Sequence, residues 1–215
     1  MSINKDLVKK YLQLKSFNLE YDHLIDEVYA EVKAISQVKK LCVVSEAKKA
    51  NGYYQLSKSG LQLLSEDINN LFIECDIIAT LVVTLGIAVD RKIAFYSKTD
   101  MTKSLVMDAV ASVYVEDIIE ELDKEIESNY PNKYRTMRFS AGYGDLDISI
   151  QKQVVEMVGA DKYAGISVSE SYLMTPMKSI TAFIGFSDKK QPFSNMCLNC
   201  PQYGKCEIKC ARAKN

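Results

Sequence analysis

Between Thr99 and Pro131 the chain has room for little except one long helix. The stretch TDMTKSLVMDAVASVYVEDIIEELDKEIES, residues 99–128, offers Thr99 or Asp100 as its cap, and Pro131 bars its continuation. Along it Leu105, Ala109, Ser112, Glu116 and Ile119 fall on one stripe by the i, i+3/i+4 rule. That stripe is apolar or small except for the carboxylate. A partly buried glutamate needs a partner, so Glu116 is expected to meet a cationic group, a lysine or arginine of a neighbouring element among the choices.

The other elements are shorter. NKDLVKKYLQLK predicts a helix with Asn4 as cap, and a second helix is predicted over Tyr21–Lys39 with Leu24, Ile25, Val28, Val32 and Ile35 on one face. KLCVVSEA and GYYQLSKSG read as two strands joined by a glycine-containing turn. CDIIATLVVTLG is a buried strand by its β-branched content, and Gly86 marks the switch into another helix. KYRTMRFSA reads as a strand, ISIQKQVVEMVG as a short helix closed by glycine, and MKSITAFIGFS as the last strand. Helices grouped early and strands mixed through the rest predict an α+β fold, with N-terminal and central helices on a mostly antiparallel sheet.

Composition narrows the partners. A chain of 215 residues with 47% hydrophobic and 26% charged residues holds a real core, as one large domain or a domain with a small appendage. A net charge of −1 gives no general pull toward nucleic acid or an anionic membrane. The longest apolar run, Ile77–Val89, is too short to span a bilayer. No leader pattern opens the chain, so a cytoplasmic location is expected, with neither nucleic acid nor membrane as partner. The lone histidine, His23, lies on the second predicted helix and reads as structural or solvated; one histidine builds neither a Ser-His-Asp triad nor a His-rich metal site.

From Asp188 onward aliphatic residues thin out, and six basic against two acidic residues make a basic tail. Cys42 and Cys75 lie singly in apolar contexts, whereas Cys197, Cys200, Cys206 and Cys210 fall within 14 residues. In a cytosolic chain such a cluster reads as a metal site before it reads as disulfides. All-sulfur zinc, an iron–sulfur cluster and redox-labile thiols without metal all remain open on spacing. A metal would help so apolar-poor a tail to fold. The expected division is residues 1–80 as helices and hairpin of the same domain, 81–187 as the ligand-binding core, and 188–215 as the tail.

Four segments in order carry a family resemblance: VTLGIAVDRKI (83–93), TDMTKSLVMDAVASVYVEDIIEEL (99–122), RFSAGYGDLDISIQ (138–151) and GISVSESYLMTPMKSITAFIGFS (165–187). They cover about half the chain, and the last two are the specific ones. Together they resemble the activation domain of cobalamin-dependent methionine synthase, and more closely the short stand-alone clostridial-type relatives of that domain. The resemblance implies that the chain binds S-adenosylmethionine and presents its methyl group to the cobalt of oxidised cobalamin while a reductant supplies one electron. Binding and orientation are then the protein's part. Two partners are implied: a methionine synthase lacking its own activation domain, which carries the cobalamin, and an electron donor.

The resemblance also assigns residues. Arg138 matches the arginine that grips the ligand carboxylate, a task suited to a planar fork of donors; the plain alternative is a surface arginine paired with Asp145 or Asp147. Ala141, Gly142, Tyr143 and Gly144 match the segment whose backbone meets the ligand, the glycines allowing close approach, although the same residues make a strand-to-helix turn. Glu116 matches a glutamate near the ligand's amino group. Glu170 and Ser171 match a ligand-side loop or simply brace it. Where full-length enzymes continue with Cys-Pro and a histidine, this chain has GDLDIS, in which Asp147 or Ser149 reads as a helix cap. A tyrosine pair is replaced by SDKKQPF, with Phe193 as the stand-in for stacking. Two other functions stay open: an iron–sulfur reductive activator of corrinoid proteins, and a zinc-stabilised interaction module with a degenerate ligand site.

Overall fold

The computed structural model describes residues 2–14 and 19–190. The tail cysteines and Phe193, and the metal site expected of the former, lie outside the described residues. In chain order the elements are α1 (Lys5–Tyr11), α2 (Leu19–Ile35), β1 (Lys39–Ala50), β2 (Tyr53–Leu56), β3 (Gln62–Leu64), α3 (Glu66–Leu71), β4 (Cys75–Thr84), α4 (Ile87–Thr99) and α5 (Met101–Ser128). There follow β5 (Tyr134–Arg135), α6 (Ile150–Val158), α7 (Ala160–Tyr163), β6 (Ser167–Val168), β7 (Met174–Thr175) and β8 (Ser179–Ser187). This is an α+β fold with a mostly antiparallel sheet, as expected.

The described residues form two compact units. The first comprises residues up to 41, 82–124 and 159–180, and is mainly helical. Asp100 is the cap of α5, accepting from Lys103 N–H at 3.0 Å. The helix then runs without a breaker to Ser128. Of the predicted stripe, Ala109 and Ile119 are buried and Ser112 and Glu116 half-buried, but Leu105 is 58% exposed. Ile25, Val28 and Val32 of α2 are fully buried, as their spacing requires. The helix stops at Ile35, short of the expected Lys39, because Gln37 N–H leaves it to donate to Leu85 O at 2.8 Å. Polar groups of α2, α4 and α5 interlock: Lys92 Nζ and Tyr96 Oη each lie 2.9 Å from Glu31, and Lys103 Nζ lies 2.7 Å from Glu27.

The second unit comprises residues 42–81, 125–158 and the described part of 181–215. Its sheet has the order β3-β2-β1-β4-β8-β5. The β1–β2 hairpin pairs Ala50 with Tyr53 across Asn51-Gly52, the turn chemistry that such a hairpin uses. GYYQLSKSG is not one strand: β2 ends at Leu56, and a tight turn returns the chain as β3, with Leu56 N–H donating to Leu61 O at 2.9 Å. Inside this unit Tyr54, Phe72, Ile78, Phe139, Phe183 and Phe186 are buried, and the Tyr54 hydroxyl is satisfied by Phe72 O. Gln151 of α6 accepts from Thr181 Oγ1 of β8 at 2.8 Å, tying helix to sheet through a buried hydrogen bond.

Cys75, at the start of β4, is buried, and burial pushes its thiol up to about 12 against the opposing pull of a hydrogen bond with Ser187. A protonated, enclosed thiol is a poor nucleophile. At pH 8 iodoacetamide is therefore expected to leave Cys75 unmodified in the folded protein and to label it after unfolding, read by peptide mass spectrometry. Equal labelling rates in both states would contradict this placement.

Candidate functional site

The strand expected over KYRTMRFSA is regular for two residues only. Tyr134 pairs with Ser187 and Arg135 with Phe186, and the ladder resumes as a single bridge between Phe139 and Phe183. Three residues on one side thus face two on the other, which is a β-bulge. Thr136 fills it: its N–H donates to Gly185 O at 2.9 Å, and its Oγ1 accepts from Gly185 N–H at 2.9 Å. A side-chain oxygen replaces the backbone acceptor that the extra residue displaces. Arg138 leaves the bulge 8% exposed. A guanidinium so enclosed must be partnered, and it is.

Beyond Phe139 the chain closes a small loop. Gly142 N–H donates to Leu146 O, and Leu146 N–H returns to Tyr143 O, both at 3.0 Å. Ala141 and Leu146 are buried at its base, while Gly142, Tyr143 and Gly144 are exposed. The Tyr143 ring stands edge-on to Phe139 at 6.2 Å. Arg138, Ala141, Gly142, Tyr143 and Gly144 thus form one continuous segment, with a buried cation at one end and an open glycine turn at the other. The following residues are helix-entry chemistry. Asp147 Oδ1 accepts from Ser149 N–H at 2.7 Å at the start of α6, so Asp147 makes the capping turn, and the hydrogen bonds with Ser149 hold its carboxyl below the usual range.

Asp145 was expected only as a pairing option for Arg138. Its carboxylate accepts from Ser65 Oγ, from Glu66 N–H at 2.6 Å and from Asp67 N–H at 3.3 Å, capping α3 from 80 residues away. Desolvation pushes this carboxyl up, but the hydrogen bonds from Ser65, Glu66 and Asp67 together outweigh it and hold it below the usual range. The sequence reading missed α3. The signal was present in Ser65 followed by two acidic residues, a helix-start pattern; its second cap from Asp145 had no local signal.

In the first unit Glu116 is half-buried on α5 and is engaged in an interaction. One turn before it, Ser112 accepts from Lys178 Nζ at 2.9 Å, and the same ammonium lies 2.8 Å from Asp108. Lys178 belongs to the MTPMKS segment, two further polar groups of which are also spent on structure. Asp90 accepts from Met177 N–H at 2.6 Å, and Ser179 Oγ donates to Pro176 O at 2.7 Å. Glu170 and Ser171 are exposed in the turn of the β6–β7 hairpin, where Ser169 and Ser171 hydroxyls meet at 3.0 Å. His23 is exposed on α2. Among the described residues no group of three or more His, Cys, Asp or Glu side chains is arranged to hold a metal ion, and no helix is long and apolar enough to cross a membrane.

A family model for the activation domain of vitamin B12-dependent methionine synthase matches residues 27–202. The chain belongs to that family. The match takes in the arginine, the glycine loop and the MTPMKS segment of this activation domain together. Among solved structures, a crystal structure of the MetH reactivation domain bound to AdoHcy is similar, with a TM-score of 0.65 at 14% identity over 86% of this chain and 71% of that one. At that identity the likeness establishes a shared fold for the activation domain. No curated protein matches its sequence.

Proposed function

We propose that this activation domain binds S-adenosylmethionine and supports reductive methylation, and so reactivation, of the cobalamin carried by a partner methionine synthase. The observation that carries the reading is Arg138, buried at 8% exposure and followed at once by an exposed Gly-Tyr-Gly turn. A fixed guanidinium suits a carboxylate because it donates two parallel hydrogen bonds. An exposed glycine turn lets backbone approach a flat or branched ligand closely. AdoHcy, held by the similar MetH domain, is the demethylated counterpart of S-adenosylmethionine and shares the carboxylate and amino group. When bound, S-adenosylmethionine supplies an electrophilic methyl group from its sulfonium.

In this reading Arg138 takes the carboxylate, and Ala141, Gly142, Tyr143 and Gly144 hold the adjoining part of the ligand. The family motif further assigns Glu116, Glu170 and Ser171 to ligand contact, each to be tested by its own variant. Partners are a cobalamin-bearing methionine synthase without its own activation domain and an electron donor. Cys197, Cys200, Cys206 and Cys210 are assigned to an iron–sulfur cluster or a structural zinc. Charge-transfer absorption of anaerobically purified protein indicates the former, and a colourless protein with one zinc the latter.

Titration calorimetry of the full, anaerobically purified chain with S-adenosylmethionine is expected to give saturable binding at one site. Absence of binding by metal-loaded protein refutes the reading. Retained binding of a partner synthase without ligand binding would instead favour an interaction module.

A further inference from the structure

The tip of the glycine turn after Arg138 is docked onto α3 by the Asp145 side chain. Its base is anchored by buried Ala141 and Leu146 and the Tyr143 ring stands edge-on to Phe139, whereas residues 142–145 are exposed. At the tip Gly144 adopts φ +52°, and a Cβ there would overlap the Asp67 carboxylate, so the backbone lies directly against the first turn of α3. The next residue supplies the bond. Asp145 accepts from Ser65 Oγ and from the N–H groups of Glu66 and Asp67, while Ser65 Oγ itself accepts from Ile68 N–H at 2.9 Å. Three donors converge on one carboxylate, and charge-assisted bonds of this kind are the stronger ones. The helix gains as well, because otherwise unpaired N–H groups at its start are satisfied by an anion.

We propose that Asp145 is the positioning residue of the ligand segment: by docking the tip of the 142–146 loop onto α3, it fixes the Gly142–Gly144 backbone in the conformation that receives S-adenosylmethionine. The proposal rests on the ligand reading above. Asp145 itself touches no ligand; it acts through the glycine turn. Untethered, the loop opens its two internal hydrogen bonds more often and samples other conformations, and the ligand then has to select the competent one, which lowers apparent affinity by the populated fraction.

The test uses the full chain and two variants outside the ligand-contact set, Asp145→Asn and Ser65→Ala. Asn keeps the shape but loses the charge; Ala at 65 removes one donor to the carboxylate. Each is expected to weaken S-adenosylmethionine binding, Asp145→Asn by roughly five- to tenfold. The double variant is expected to bind no more than about twofold more weakly than Asp145→Asn alone, since Ser65 acts through the same carboxylate. Amide hydrogen exchange separates this from general loosening. In Asp145→Asn the Gly142 and Leu146 amides should exchange at least about tenfold faster, with β4 amides unchanged. Wild-type affinity in both variants overturns the positioning role, and so does exchange that rises equally in β4. If the wild-type protein fails to bind S-adenosylmethionine, the ligand reading falls and the positioning role falls with it; failure of the positioning role alone leaves wild-type binding intact.

Discussion

Arg138→Ala is expected to abolish measurable S-adenosylmethionine binding, and Arg138→Lys to weaken it by roughly 10- to 30-fold. The two differ for a physical reason. Alanine removes both the charge and the paired donors, which at about 1.5–3 kcal/mol for a hydrogen bond to a charged group predicts a loss of more than about 100-fold. Lysine keeps the charge as a single point but cannot offer two parallel N–H groups to one carboxylate. Because Arg138 is 8% exposed, its removal also strands its protein partner, which costs about 1–3 kcal/mol of stability on its own. Both variants are therefore to be compared with wild type by thermal melting before titration. A folded Arg138→Ala protein with wild-type affinity refutes the assignment. Equal losses in the Lys and Ala variants would show that fork geometry, rather than charge, carries the contact.

How far the sequence reveals this molecule depends on whether the deciding contacts are local. The α5 helix is legible because 28 residues run without a breaker after a capping Asp100. The β1–β2 hairpin is legible through Asn51-Gly52. Regular strand over residues 133–141 was expected and is not found, because the bulge at Thr136 is set by the spacing of Gly185 across the sheet and leaves no trace in local alternation. The candidate site divides in the same way. Its residue types were readable from the motif, but the burial of Arg138 was not, since RFSA alternates as an edge strand does. The GDLDIS half, where the chain departs from the full-length enzymes, is structural: Asp145 caps α3 and Asp147 shapes the entry to α6. The first of those contacts spans about 80 residues of sequence, and no local pattern encodes it.

Gly185→Ala is expected to lower stability by about 2–3 kcal/mol and the melting temperature by roughly 4–10 °C. A Cβ at this position would lie 2.7 Å from Cys75 Sγ, 3.1 Å from Phe72 Cδ1 and 3.2 Å from Cys75 Cβ. All three neighbours are buried and close-packed, so relief has to come from moving β8 or β4 rather than from rotating a side-chain tip. The backbone of Gly185 also holds both hydrogen bonds of the Thr136 bulge, so displacing β8 disturbs the segment that carries Arg138 two residues later. The same variant should for that reason weaken S-adenosylmethionine binding severalfold, although Gly185 is not among the assigned ligand contacts. Cys75→Ala tests the route. Removing the sulfur deletes the shortest of the three contacts, so the double variant Gly185→Ala/Cys75→Ala should be more stable than the sum of the single losses predicts, by about 1 kcal/mol. Strict additivity in a melting-curve cycle would instead place the requirement for glycine at the two contacts that Cys75→Ala leaves, the Phe72 ring and the Cβ of residue 75.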